Sequence, residues 1–427
     1  MSWRPALVAW LSTVESGEAV AVVLGGGANG LSYARSLGRR KIPVLLVESP
    51  EGFASRTRYA QAMTLRGPSA YPDDWVEFLD SIGSRLARRG VLFATNDTLV
   101  ALVSEHAKDL QQSFRFVVPE PAVVRSILDK REQYHLAQEA GIEIPATYFP
   151  ESADDVERVA ATVRYPCLFK PYESAAGRAA IGLKALHVDS RDELVACFDR
   201  FATAETKFMV QEFVPGDDDA LVGYLAFWDA DGREHSWLTK QKLRQYPRLI
   251  GDGSFQASVI APEVADLSRT LLRKFAYRGL VAVEFKHDCR DETYRLMEIN
   301  PRTVSCNQLA IRAGVDFPWI VYQHLVHPGE PTAPTNSFRS GVKFVNEDWD
   351  FRAYRERRRD GDLTFWRWIR SLAGARAWAV VTPRDPRPFL SQVRAQLQSS
   401  FRKVRPTHGA AQLRPREPCA RQGAREP

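Results

Sequence analysis

Apolar and polar positions alternate with two periods along most of this chain, and the switches between them predict a mixed α/β protein. Residues 19–48 read as strand, glycine turn, helix and strand: "AVAVVLGGG", "NGLSYARSLGRR", "KIPVLLVES". Helical spacing from Trp75 to Arg89, a strand "VLFATND", helical spacing from Thr98 to Leu110 and a strand "RFVVPE" continue the series. Such alternation predicts a parallel sheet wrapped by helices. One helix then runs from about Ala122 to a C-cap at Gly141. After "IPATYFP" a second α/β region follows. It holds strand "PCLFK", a Gly/Ala loop at 173–182, strand "GLKALHV", a helix near Arg191–Ala202, strand "KFMVQEFV" and the turn "PGDDD". Further strands run through Trp237, and a helix at 262–277 closes the region.

The stretch "GLVAVEFKHDCRDETYRLMEINPR" predicts two strands around a polar turn. With the turn centred on Asp291, Glu284 lies opposite Glu298 and Asn300 falls two places on along the same face. The other face is apolar: Val281, Val283, Phe285, Met297 and Ile299. Opposed carboxylates repel by a few tenths to roughly 1 kcal/mol. A hard cation reverses that sign, and carboxylate plus amide oxygens suit magnesium. A solvated face beside Lys286 is the plainer alternative.

Length and composition narrow the class. At 427 residues, 44% hydrophobic and 26% charged, the chain suits two or three folded units. No apolar run approaches the ~20 residues that span a bilayer. The five cysteines lack CxxC spacing, and the expected setting is a reducing cytoplasm. The net charge of +6 is uneven. From Arg352 onward there are 18 Arg or Lys against 6 Asp or Glu, which leaves −6 for the preceding 351 residues. The basic end is read as a solvated, partly disordered extension, with nucleic acid or an anionic membrane surface as its alternative partner.

Gly25-x-Gly27-x-x-Gly30 after a strand, with Glu48 ending the next one, has the form of a dinucleotide fingerprint. Nothing downstream supplies hydride chemistry, so the turn, with Gly27 and Asn29, is read as holding an anionic group of another substrate at a helix N-terminus. Lys170 ends an apolar strand beside a loop containing Gly177 and Gly182, a phosphate-contacting arrangement. In "MVQEFVPGDDD" the backbone leaving the strand can meet an adenine edge, and Asp217–Asp219 can meet ribose hydroxyls.

The order of Lys130, Lys170 and its loop, Gln211–Glu212, then Glu284, Glu298 and Asn300 resembles the ATP-grasp superfamily, over roughly residues 20–330. "LMEINPR" is its most specific part. The resemblance implies a Rossmann-like pre-ATP-grasp domain at 19–121 after an N-terminal extension (1–18). It implies a two-lobed ATP-grasp domain at 122–330, with a small lobe at about 140–210 and a large lobe at about 211–330. A basic, partly helical C-terminal extension would fill 331–427. Lys130 and Lys170 would then contact ATP phosphates under the 173–182 loop. Glu212, with Phe213 and Val214, would hold adenine, and Asp219 the ribose. Glu284, Glu298 and Asn300 would bind Mg2+ or Mn2+. Arg302 would steady an acyl phosphate or acceptor, Lys240 and Arg244 the γ-phosphate or carboxylate. Arg56, Arg58 and Asp97 fall where such first domains meet substrate. The implied reaction is ATP-dependent carboxylate–amine ligation of the D-aspartate-ligase type, on small molecules, and dimers are common in the superfamily. A Rossmann oxidoreductase binding NAD(P) or FAD and a non-catalytic ATP-binding regulator are the competing readings.

Overall fold

A computed structural model describes residues 4–14, 18–50, 52–171, 184–201, 207–328 and 337–402. Gly177, Gly182 and the basic stretch beyond 402 therefore lie outside the described residues.

The first sheet is wholly parallel. Strands β1 (Ala21–Leu24), β2 (Val44–Glu48), β3 (Gln61–Thr64), β4 (Gly90–Ala94) and β5 (Phe114–Arg115) run in the order β3-β2-β1-β4-β5. Every residue of β1 and β2 is buried, as a sheet covered on both faces requires. Val20, Val22 and Leu45 pack on Trp75, Phe78 and Leu79 of the helix Pro72–Gly83. Ala21, Val23 and Leu46 on the opposite face pack with Leu37, Leu309 and Phe317. Leu7, in the expected N-terminal extension, joins the first of these cores at 1% exposure.

A small antiparallel sheet follows, β6 (Thr147–Tyr148), β7 (Cys167–Pro171), β8 (Leu186–Val188) and β9 (Phe208–Glu212), in the order β6-β9-β7-β8. The large sheet contains β10 (Leu221–Trp228), β11 (Glu234–Tyr246), β12 (Asp252–Ser258), β13 (Gly279–Asp288), β14 (Thr293–Asn300), β15 (Lys343–Val345) and β16 (Ala375–Trp378). Their order is β14-β13-β10-β11-β12-β15-β16. The helix Pro262–Lys274 covers one face through Val264, Leu271 and Leu272 against Tyr224, Val283 and Phe285.

Three local expectations are corrected. The helix expected from Ala122 to Gly141 breaks at Asp129, whose backbone is extended (φ −79, ψ 114) and whose carboxylate accepts from the N–H groups of Arg131 and Glu132. That break puts Lys130 at the first residue of the helix Lys130–Glu139. In the hairpin, Glu284 does pair with Glu298, but a bulge shifts the register after it and sets Leu296 opposite Phe285. Leu296, fully buried, thus takes the core place expected for Met297. The segment beyond 330, expected as an extension, supplies two strands of the large sheet. At three and four residues they are too short for periodicity to reveal. Among the described residues no helix is long and apolar enough to cross a membrane.

Candidate active site

The face of the large sheet away from the helix Pro262–Lys274 carries a row of paired positions across four strands, three polar side chains and a glycine: Lys240 on β11, Gly223 on β10, Glu284 on β13 and Glu298 on β14. Gly223 lies beneath this contact: a Cβ there would stand 3.0 Å from Lys240 Cε and 3.3 Å from its Nζ, so a side chain would crowd the lysine where it reaches over β10 to Glu284. Lys240 Nζ donates to Gln256 Oε1 at 2.9 Å and to Glu284 Oε1 at 3.3 Å, and Lys242 Nζ donates to Glu284 Oε2 at 2.7 Å. Burial pushes the Glu284 carboxyl upward, but Lys242 and Lys240 outweigh it and the net shift is downward. Partial burial likewise pushes Glu298 up, yet Lys130, Lys184, Arg302 and Lys242 hold it at about 2. Lys130 Nζ lies 3.4 Å from Glu298 Oε1. Two ionised carboxylates and the Asn300 amide thus share one face amid a ring of cations. That donor set fits a hard divalent cation.

The small sheet supplies a further cation. Lys170 Nζ donates to Gln211 Oε1 at 2.7 Å, and Gln211 Nε2 donates to Tyr134 OH at 3.0 Å and Thr147 Oγ1 at 2.9 Å. Tyr134 OH in turn donates to the Met297 carbonyl at 3.0 Å, tying the small sheet to the metal-candidate strand. Burial and the charge of Lys130 lower the Lys170 ammonium to about 8. Neighbouring residues alternate across a strand, so Glu212 faces the other way. It pairs with Arg290, accepts from the Ala146 N–H at 3.3 Å and lines a separate cavity of about 370 Å³ with Arg131, Tyr134, Phe149 and Arg295. Its side chain is not brought to Lys170. Past it, the Val214 carbonyl accepts from Lys286 Nζ at 2.8 Å, and that ammonium sits 4.8 Å from the Phe213 ring centroid. Burial lowers Lys286 to about 8.

Asp97, at the start of the helix Asp97–Glu105 that follows β4, meets this cleft through an ion pair with Arg302. Arg302 donates to Asp97 through Nε at 2.7 Å and Nη2 at 3.0 Å, and Nη2 also reaches Asn300 Oδ1 at 3.2 Å. Two residues that the sequence assigned separately, to substrate and to chemistry, are therefore partners. Asn29 is not free for substrate. Its Nδ2 donates to the carbonyls of Thr95 and Thr303 at 2.9 and 2.8 Å, and its Oδ1 accepts from Thr303 Oγ1 at 2.9 Å. Gly27 adopts φ +62 with open space beside it. The neighbouring glycines are filled from within. A Cβ on Gly26 would lie 1.7 Å from Glu48 Oε2, and one on Gly30 would lie 2.1 Å from the Gly25 carbonyl oxygen. The fingerprint thus serves close packing of strand, turn and helix, and the oxidoreductase alternative finds no support in it. Arg56 and Arg58 are exposed.

Arg244 is a clear departure. It donates to Asp350 through Nε at 2.9 Å and Nη2 at 3.0 Å, both groups nearly fully buried, and it lies over the Phe255 ring. Bulges between Lys242 and Gln245 turn it away from the Lys240–Lys242 face. Asp219 is exposed, and Asp218 beside it is the buried one, accepting from Gln245 N–H at 3.0 Å and Nε2 at 2.8 Å. Sequence reasoning gave no role to Lys242, Lys184 or Gly223, and placed Lys286 only on a solvated face. Lys242 sits two places from Lys240, a period-2 signal that was available. Lys184 Nζ bonds Asp252 Oδ1 on β12 at 2.6 Å, a contact between residues 68 apart with no local signature.

Comparison with known proteins agrees with this geometry. Residues 234–347 match the family model described as ATP-grasp in the biosynthetic pathway with Ter operon. The chain is 23% identical over 316 residues to a D-aspartate ligase of Enterococcus faecium, covering 68% of this chain and 73% of the relative. Its fold is similar to that of the L-amino acid ligase of Bacillus licheniformis, with a TM-score of 0.60 at 13% identity, over 76% of this chain and 78% of the other. It is also similar to N5-carboxyaminoimidazole synthetase of Staphylococcus aureus, with a TM-score of 0.58 at 13% identity, over 76% and 80%. Over residues 234–347 the chain thus resembles an ATP-grasp family, and its fold over about three quarters of its length is similar to that of the solved ligases.

Proposed function

We propose that this protein is an ATP-dependent carboxylate–amine ligase working through an acyl phosphate, releasing ADP and phosphate. The observation that carries the reading is the convergence of Glu284, Glu298 and Asn300 with Lys130, Lys170, Lys240 and Lys242 between the two sheets. Phosphoryl transfer needs positioning and neutralisation of spreading charge, and these residues supply both. Lys130 and Lys170 would hold phosphate oxygens. Glu284, Glu298 and Asn300 would hold Mg2+, which would neutralise charge on the β- and γ-phosphates. Asn300 is oriented by Arg302, itself fixed by Asp97, so the first sheet acts as a pre-ATP-grasp domain that aligns the acceptor end of the cleft. Lys286, beside Phe213 and the Val214 carbonyl, marks the adenine end in place of the Glu212 side chain. Lys240 and Lys242 neutralise Glu284 and would pass to the carboxylate or γ-phosphate when the metal occupies that glutamate. The expected place of action is the cytoplasm, where ATP is supplied.

The test is ADP release from ATP and Mg2+ across a matrix of amino acids and small carboxylates, each with and without an amine acceptor. ADP formed only with a specific pair, and lost in Glu298→Ala, supports ligation. ATP binding without ADP from any pair favours the non-catalytic regulator, and no ATP binding refutes the reading.

A further inference from the structure

One surface takes no part in this site. Phe351, Tyr354, Phe365, Trp366 and Trp368 form a single aromatic cluster. Tyr354 stacks on Trp368 with centroids 4.6 Å apart, Phe351 lies 6.1 Å from Trp368, and Phe365 lies 5.3 Å from Trp366. Trp368 anchors it to the body, its Nε1 donating to Asp350 at 2.8 Å. The outer members are uncovered: Trp366 is 77% exposed, Phe351 47%, Phe365 45% and Ile369 41%. A contiguous exposed apolar patch marks an interaction surface.

The unpaired charges around it are dominated by arginines. Along the helix Phe365–Leu372, helical spacing puts Phe365, Trp368, Ile369 and Leu372 on one face. Trp366 stands at the outer edge of that face, with Arg370 and Arg367 beyond it. Arg355, Arg358 and Arg359 share a groove of about 560 Å³ with Phe351, Tyr354 and Phe365. The nearby acids are paired: Asp360 and Asp362, both still exposed, bond Arg248, and Glu356 accepts from the Arg248 N–H.

We propose that this aromatic–arginine face docks on an anionic lipid bilayer. A band of Trp, Phe and Ile flanked by arginines is the chemistry of an interfacial helix, the rings entering the headgroup layer and the guanidinium groups meeting phosphates. Trp366 projects from the surface, and a fluid bilayer admits a projecting ring without a matching cavity. A second copy of this chain would set arginine against arginine. A nucleic-acid backbone would meet the arginines and leave Ile369 and Phe365 in water.

The test is co-sedimentation of the full chain with phosphatidylcholine vesicles, with and without phosphatidylglycerol. Binding should require the anionic lipid and weaken with added salt. The double variant Trp366→Ser/Ile369→Ser should bind roughly tenfold more weakly with an unchanged melting temperature. Each of Arg355→Gln, Arg359→Gln and Arg367→Gln should cost roughly fivefold. Absence of binding to anionic vesicles overturns the proposal, as does binding that none of these substitutions alters. Patch-dependent binding of duplex DNA, or patch-dependent dimerisation by light scattering, overturns it when vesicles fail to bind. Vesicle binding in Glu298→Ala at the wild-type level would separate this result from the fate of the ligase reading.

Discussion

Replacing Arg244 by methionine separates the role its sequence position implies from the one its packing implies. Asp350 accepts from Arg244 Nε at 2.9 Å and Nη2 at 3.0 Å, from Ser254 Oγ at 3.1 Å and from Trp368 Nε1 at 2.8 Å. The two side chains are 7% and 1% exposed. Removing the guanidinium leaves a buried carboxylate with two neutral donors, a loss of about 3–5 kcal/mol. Asp350→Leu should cost a similar amount by leaving the arginine uncompensated. The double variant removes both charges, so only the stranded Ser254 and Trp368 donors remain, about 1–3 kcal/mol. The pair should therefore show a coupling energy of several kcal/mol in a double-mutant cycle, read by urea unfolding followed by circular dichroism. Folded Arg244→Met should keep ADP release, because the residue faces away from Lys240 and Lys242. A loss below about 1 kcal/mol, or abolished turnover with an unchanged unfolding curve, would refute this account and return Arg244 to the phosphate or carboxylate.

Three further outcomes follow from the cleft. Glu298→Ala should abolish ADP release while leaving the unfolding midpoint nearly unchanged, since its side chain is 46% exposed and its pair with Lys130 is long at 3.4 Å; wild-type turnover would remove the metal assignment. Gly223→Val should crowd Lys240 away from Glu284 and lower turnover roughly tenfold, with some loss of melting temperature because a Cβ there also meets the Val283 carbonyl oxygen at 3.3 Å. Lys170 and Lys286 sit at about 8 in the folded protein, below the ordinary lysine value of about 10.4. Between those values the unfolded chain binds more protons, so these groups make stability rise with pH across that window. ATP binding should favour their charged forms, so the KM for ATP should rise above about pH 8, and calorimetry in two buffers should show proton uptake on binding.

The sequence by itself determined the features that depend on near neighbours. Period-2 alternation in the hairpin set Glu284 opposite Glu298, and the strand–turn–helix pattern at 19–48 located the first parallel strands. Lys170 could be chosen because it ends an apolar strand, and it is the lysine that meets Gln211. What the tertiary structure decided is partner choice over long separations. Arg302 and Asp97 are 205 residues apart, Lys240 and Glu284 are joined across the gap at Gly223, and Arg244 is claimed by Asp350 from a helix 106 residues on. Glu48 inside the glycine turn turned an apparent ligand cradle into packing. The physical reason is the same in each case. A charged side chain pairs with whichever opposite charge the assembled sheets bring within about 3 Å, and local periodicity fixes a residue's face but not what lies beyond it.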